Sequence, residues 1–445
     1  MIAEIVNLKE IIGGRYDNSY VLFHHRLLSY KFPSAPLQKF LIGKPQYGAN
    51  EASISRESNK IPRYIRITDI DENGCLADNF GATAKNVEPK YILKNNDILI
   101  ARSGNTVGKS YIHKTETVNE TCFFAGYLIR FVIDSNSILP DYIFIFTKLS
   151  VFANWIKVTQ RVTGQPNVNA EEYSNLPIPV PPIEIQRSII EIYQNAQKAR
   201  LNKINEAKRL LNSIDDYILD VLRIANTEYK EQSNSFYKQK ISAIIGGRFD
   251  SPQFHPERTE TIDKIKKGNW CILRDVIHNV KTTSSSISKN DTYVGLENIS
   301  GDTGEYVITN EKESVSSAAL FQKGNILFPK LRPYLNKVHR AQFDGYCSTE
   351  FQVFEAHDIH PDFLTIILRS NLILAQTKHL MTGNTLPRLQ TTDIENLIIP
   401  YPDMDVQEII VHHVNELQTK ARLLKEEGDR LIYDAKRKIE NIILG

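Results

Sequence analysis

Ile11-Ile12-Gly13-Gly14-Arg15-Tyr16-Asp17 returns as Ile244-Ile245-Gly246-Gly247-Arg248-Phe249-Asp250, near the start of each half of a 445-residue chain. Further matches follow in the same order: Tyr64-Ile65 through Ile70 with Tyr293-Val294 through Ile299, then Asp97-Ile98-Leu99 with Asn325-Ile326-Leu327. Thr163-Gly164 pairs with Thr382-Gly383, and Leu176-Pro177-Ile178-Pro179 with Leu397-Ile398-Ile399-Pro400. Shared order carries more weight than any single match. The separation between partners shrinks along the chain, so the second copy has shorter loops but the same succession of elements. A repeat of roughly 200 residues is far longer than solenoid or propeller units, which run ~20–50. Two whole domains of one architecture are therefore expected.

Each copy reads as mixed α+β. Tyr64-Ile65-Arg66-Ile67, Asp97-Ile98-Leu99-Ile100 and Tyr127-Leu128-Ile129-Arg130-Phe131 are short β-branched and aromatic runs punctuated by Gly and Asn, which predicts strands. Pro140 to Thr159 and Pro361 to Lys378 then supply apolar helical stretches. A proline-rich exit closes each copy, Pro177 to Pro182 and Pro400 to Pro402, where missing N–H groups and a fixed φ forbid helix or central strand. Beyond it, Ile183–Ala225 and Met404–Leu444 lack proline and are rich in helix formers, so each predicts one long helix.

In the second of these, Ile410, Val414, Leu417, Ala421, Leu424, Gly428, Leu431, Ala435, Lys438 and Ile442 step by fours and threes as a heptad seam. The first carries two stripes one residue out of phase: Ile185, Ile189, Ile192, Ala196 and Ala199, then Ile204, Ala207, Leu211, Ile214, Ile218, Val221 and Ala225. One such helix alone reads as an amphipathic helix lying on its own domain. Two at equivalent places favour an antiparallel coiled coil holding two globular units apart. The polar stretch 226–240 links the first helix to the second copy.

Lys+Arg of 54 against Asp+Glu of 52 gives a net charge of +2, so any nucleic-acid surface has to be a local basic patch. Cys75, Cys122, Cys271 and Cys347 are widely spaced without His partners, which predicts reduced thiols, no disulfide scaffold and no metal site. The chain opens without a basic-then-apolar leader and has no run of 18 or more apolar residues, so a cytoplasmic protein without a membrane segment is expected.

Ser103-Gly104-Asn105-Thr106-Val107-Gly108-Lys109-Ser110 nearly spells a phosphate-binding loop, but Ser103 stands where the first glycine belongs. The second copy has Lys330-Leu331-Arg332-Pro333-Tyr334-Leu335-Asn336-Lys337 there, with a proline and no glycine. What both share is cationic and polar side chains after a strand: Arg102, Ser103, Asn105 and Lys109, against Lys330, Arg332, Asn336 and Lys337. That suits a phosphate backbone better than a nucleotide. A second shared feature is the turn Thr163-Gly164-Gln165-Pro166-Asn167 and its counterpart Thr382 to Arg388. A structural turn accounts for Gly, Asn and Pro there; the functional reading places Gln165, Asn167, Asn384 and Arg388 near DNA, where amides pair with adenine and Arg with guanine. Val180-Pro181-Pro182-Ile183 lacks the residues of an amino-methyltransferase motif, Asp71 with Glu88-Pro89-Lys90 has no counterpart in the second copy, and His24-His25, His357, His360 and His412-His413 lack metal-ligand spacing. No catalytic constellation emerges, so the chain is expected not to be an enzyme.

Gly-Gly-Arg-aromatic-Asp openings, the stretch Asp97 to Lys109, Leu176-Pro177-Ile178-Pro179, and helices with Gln186 and Gln407 at their starts together resemble the specificity subunit of type I restriction–modification systems over nearly the whole chain. Phe328-Pro329-Lys330-Leu331-Arg332-Pro333 departs from that pattern by losing the glycine turn. The resemblance implies target recognition domains at 1–182 and 241–402, spacer helices at 183–225 and 403–445, and a linker at 226–240. It also implies a split double-stranded DNA target, one half read by each domain, with the helices as ruler and docking site for two modification subunits. Those would carry S-adenosylmethionine for adenine methylation, and restriction subunits would bring ATP and Mg²⁺ for translocation; the chain itself would bind no cofactor. A coiled-coil scaffold that binds protein only, and a P-loop-like nucleotide enzyme, are the alternatives.

Overall fold

The computed structural model describes residues 30–77, 79–160, 166–225, 251–285, 291–308, 317–383 and 386–444. The repeated Gly-Gly-Arg segments, His24-His25, and the candidate residues Gln165 and Asn384 lie outside the described residues. The chain separates into two compact units: unit 1 joins Met1–Asn202 to Glu427–Gly445, and unit 2 is Lys203–Glu426.

Unit 1 carries strands β1 (Ser34–Pro36), β2 (Gln46–Tyr47), β3 (Ser53–Ser55), β4 (Arg63–Ile65), β5 (Ala82–Ala84), β6 (Ile98–Ala101), β7 (Ser110–Ile112), β8 (Cys122–Phe124), β9 (Leu128–Phe131) and β10 (Pro177–Pro179). One sheet runs β2-β9-β6-β7, a second β3-β5-β4-β8, and β1 pairs with β10. β6 is buried throughout, as a continuous Ile-Leu-Ile-Ala run between two neighbours requires, and lies antiparallel to β9 with Ile98 opposite Phe131 and Ala101 opposite Leu128. Arg66-Ile67 does not extend β4; the chain turns there into a 3₁₀ segment, Ile67–Asp69, because the Asp69 carboxylate accepts the Arg66 N–H at 2.9 Å. The prolines of β10 are accommodated because its sheet has only two strands and needs few N–H donors.

The apolar stretch after β9 forms two helices, α1 (Pro140–Phe146) and α2 (Ser150–Thr159), rather than one, followed by α3 (Ala170–Ser174). The break is made by Thr147, whose hydroxyl donates to the Phe144 carbonyl at 2.6 Å and tightens the last turn. Unit 2 repeats the plan with β11 (Trp270–Ile272), β12 (Ile277–Asn279), β13 (Thr283–Ser284), β14 (Tyr293–Val294), β15 (Ala318–Phe321), β16 (Ile326–Pro329), β17 (His339–Arg340), β18 (Gly345–Ser348), β19 (Phe351–Ala356) and β20 (Ile398–Pro400). Its sheets are β12-β19-β16-β17, β13-β15-β18-β14 and β11-β20, so the first and third match unit 1 strand for strand while two strands of the second exchange places.

The long helices are α4 (Ile183–Val221) and, after unit 2's α5 (Pro256–Ile265), α6 (Pro361–Arg369), α7 (Asn371–Thr377) and α8 (Thr391–Glu395), the terminal α9 (Met404–Ile443). α4 stops short of Ala225 because Arg223 takes a left-handed backbone, φ 53°, and the Ile224 N–H turns back to the Leu219 carbonyl at 2.8 Å. The two helices pair antiparallel. In unit 1, Ile189 and Tyr193 share a core with Ile439 and Ile443, and Arg200 meets Asp429 at 2.9 Å. In unit 2, Ala207 packs with Ala421 and Leu424, and Ile218 with Ile410 and Val414. The seam of α9 follows the predicted heptads only as far as Gly428. Beyond it Ile432, Ala435, Ile439 and Ile443 are buried, and Lys438 is exposed. One step of four replaces a step of three, resetting the stripe as an α-helix of 3.6 residues per turn drifts from a strict 3.5 repeat.

Buried glutamines fix the start of each long helix to its own domain. Gln186 donates to the Pro181 carbonyl at 2.9 Å and accepts the Leu139 N–H ahead of α1 at 3.0 Å. Gln407 donates to Pro402 at 2.8 Å and accepts the His360 N–H ahead of α6 at 2.8 Å. The second helix of each pair is capped from the other long helix: Glu440 accepts the Ser150 N–H at 2.5 Å in unit 1, and Asp215 the Asn371 N–H at 2.9 Å in unit 2.

Candidate nucleic-acid interface

β6 and β16 lead into equivalent segments, and in each unit the segment pairs with the turn that precedes the proline exit. In unit 1, Gly104 N–H donates to the Pro166 carbonyl and Val168 N–H to the Arg102 carbonyl, both at 2.9 Å, setting Ser103 opposite Asn167. In unit 2, Arg332 N–H donates to Pro387 at 2.9 Å and Leu389 N–H to Lys330 at 3.0 Å, setting Leu331 opposite Arg388. Two features separated by roughly 60 residues of chain thus form one short ribbon, twice. Arg102 answers to Lys330, and Asn167 to Arg388.

Around the unit 1 ribbon the Arg102 guanidinium lies 4.9 Å over the ring of Tyr47, whose hydroxyl accepts the Ala170 N–H at 3.1 Å. Tyr127, 62% exposed, accepts the Arg102 N–H on its carbonyl at 3.0 Å. Asn105 is exposed in the 3₁₀ turn Gly104–Thr106, while Lys109 is drawn aside to Glu72 at 3.2 Å. The patch is basic and aromatic, a combination that serves both phosphates and unsaturated rings. Tyr47 and Tyr127 carried no signal in the sequence, because each reaches the ribbon from a different strand end.

In unit 2, Arg332 is exposed with a left-handed backbone, φ 48°, beside exposed Tyr334 and Leu335. Arg388 is held by Glu350 through two guanidinium nitrogens, at 2.8 Å from Nη2 and 3.0 Å from Nε, and this contact pulls the Glu350 carboxyl below the usual carboxylate range. Asn336 and Lys337 turn toward the domain body: the Asn336 amide donates to the Arg369 carbonyl at 2.8 Å and the Lys337 ammonium to Leu296 at 2.7 Å. These two contacts hold the loop that presents Arg332.

The near-P-loop sequence is not one in shape. Ser110 opens β7 instead of a helix and is buried, its hydroxyl 2.6 Å from that of Thr147, so no helix N-terminus faces a phosphate. Asp71 closes a turn on the Asn73 and Cys75 N–H groups at 2.9 and 2.7 Å, and Glu88 pairs with Lys90 at 2.7 Å. His360 caps α6, and the four cysteines are free thiols. No described helix is long and apolar enough to cross a membrane.

The profile of the family described as "Type I restriction modification DNA specificity domain" matches the chain twice, over residues 50–212 and 273–431. The type I restriction enzyme MjaVIII specificity subunit of Methanocaldococcus jannaschii is 22% identical over 378 residues, covering 83% of each chain. The EcoDI specificity subunit of Escherichia coli is 23% identical over 348 residues, covering 74% of this chain and 72% of that one. A crystal structure of the type I system S subunit from M. genitalium covers 93% of this chain and 96% of its own, with 11% identity and a TM-score of 0.42.

Proposed function

The chain belongs to the type I restriction–modification DNA specificity family, and from that premise we propose that each unit reads one half of a split double-stranded DNA target through its paired ribbon. The observation that carries this reading is the duplicated ribbon, which sets Arg102 with Asn167 and Lys330 with Arg388 at equivalent places in two diverged domains. Arg102, Lys330 and Arg332 suit backbone phosphates, and Asn167 suits a base edge. Ser103 and Asn105 extend the same surface, while Lys109 and Arg388 become available when Glu72 and Glu350 release them.

Two unlike domains on one chain suit a target with two unlike halves, and α4 and α9 suit the role of a spacer because each contributes residues to both units. The exposed faces of these helices would seat two modification subunits carrying S-adenosylmethionine, with restriction subunits bringing ATP and Mg²⁺. The chain contributes recognition and the partners contribute chemistry. Co-expression with the cognate modification subunit, followed by sequencing of host DNA for N6-methyladenine, tests this. A split motif with one modified adenine on each strand is expected; a stable complex without methylation favours a protein-only scaffold.

A further inference from the structure

We propose that His255, Glu257 and His379 form a binding site for a divalent first-row transition ion, of which zinc is the representative, clamping α5 to the end of α7 in unit 2. One nitrogen from each imidazole and one carboxylate oxygen lie within 4.8 Å of one another. Ligand atoms about 2 Å from a common ion sit roughly 3.3–4 Å apart, so ångström-scale closure completes the set. His255 precedes α5 as its N-cap, Glu257 occupies the first turn, and His379 follows the C-terminus of α7. The scaffold beneath is firm, since Ile265 of α5 and Leu372 of α7 are buried in one apolar cluster.

The chemistry of the three side chains favours an ion. The His255 and His379 rings stack with centroids 3.6 Å apart and 12° between planes. Neutral imidazole is the form that ligates metals. Glu257 accepts from His379 Nε2 at 2.7 Å and from the Lys378 ammonium at 3.2 Å. A cavity of about 400 Å³ lined by Glu257, Glu260 and Lys378 reaches this carboxylate, leaving room for water to complete the coordination. Loading turns the imidazoles out of their parallel stack and displaces Lys378. Two protein histidines and one carboxylate leave one position open on an ion that prefers four ligands. The spacing gave no warning in the sequence, because the third ligand lies more than 100 residues beyond the first two.

Titration of the full chain with Zn²⁺ against a chromophoric chelator tests the site. One ion per chain is expected, with affinity lowered on the order of tenfold or more by His379→Ala and by His255→Asn. His255→Asn keeps a good N-cap, so loss of binding there is not loss of fold. Lys378→Met removes the cation competing for Glu257 and is expected to tighten binding. Stoichiometric binding unchanged in both histidine variants would place the ion elsewhere and overturn the proposal, as would the absence of stoichiometric binding to the folded wild-type chain.

Discussion

Arg102 and Lys330 occupy equivalent positions, yet they are set differently: one guanidinium rests on Tyr47, while the other side chain is a point charge on a flexible stem. Substituting either with alanine is expected to weaken DNA binding by the assembled complex uniformly across sequences. Each should also reduce the slope of log K against log salt by about one, read by anisotropy titrations at several salt concentrations. Asn167→Ala should instead relax the choice of base at one position of one half-site, at about 1–3 kcal/mol. Arg388 adds a pH signature. Its contact depresses the Glu350 carboxyl in the folded state, so the pair contributes stability above the unfolded pKa and loses it as pH falls through the folded one. The stability difference between wild type and Arg388→Met, measured by urea denaturation, should therefore shrink on acidification through the carboxylate range. These residues were legible in the sequence as a basic cluster and an amide turn. Their pairing, and the diversion of Asn336, Lys337 and Arg388 to protein partners, was not, because each partner lies at least 30 residues away.

At the scale of elements, periodicity served well where burial alone decides the pattern and less well where a side chain intervenes. β6, β16 and both long helices fall where the apolar runs place them, whereas Thr147 and Ser370 split the helical stretches with hydroxyl contacts to the preceding carbonyls. The shifted stripe of α9 makes a direct comparison available. Ile439→Ala should cost about 2–5 kcal/mol because its side chain is fully buried, while Lys438→Ala, on a predicted seam position now exposed, should stay within about 0.5 kcal/mol. Gln407→Leu removes a buried acceptor and donor at once and leaves the His360 N–H and Pro402 carbonyl without their partner. A loss of roughly 2–3 kcal/mol in the stability of unit 2 is expected, followed by chemical denaturation.

For the molecule as a whole, the duplicated sequence announced two domains but not how the chain is shared between them. Four residues inserted after Leu211 add ~6 Å of helix, and under the proposed spacer role they should change the gap in the methylated motif while both half-sites stay the same. An altered half-site with an unchanged gap would contradict that role. The composition of unit 1 from Met1–Asn202 and Glu427–Gly445 has a bearing on synthesis. Ile439 and Ile443 close its core and Glu440 caps α2, yet these residues are synthesised only after the whole of unit 2, Lys203–Glu426. Translation at about 5–20 residues per second separates them from Asn202 by some tens of seconds. The domain born first is therefore finished last, and during that interval the nascent chain exposes the apolar faces of Ile189 and Tyr193, a window in which a chaperone has something to hold.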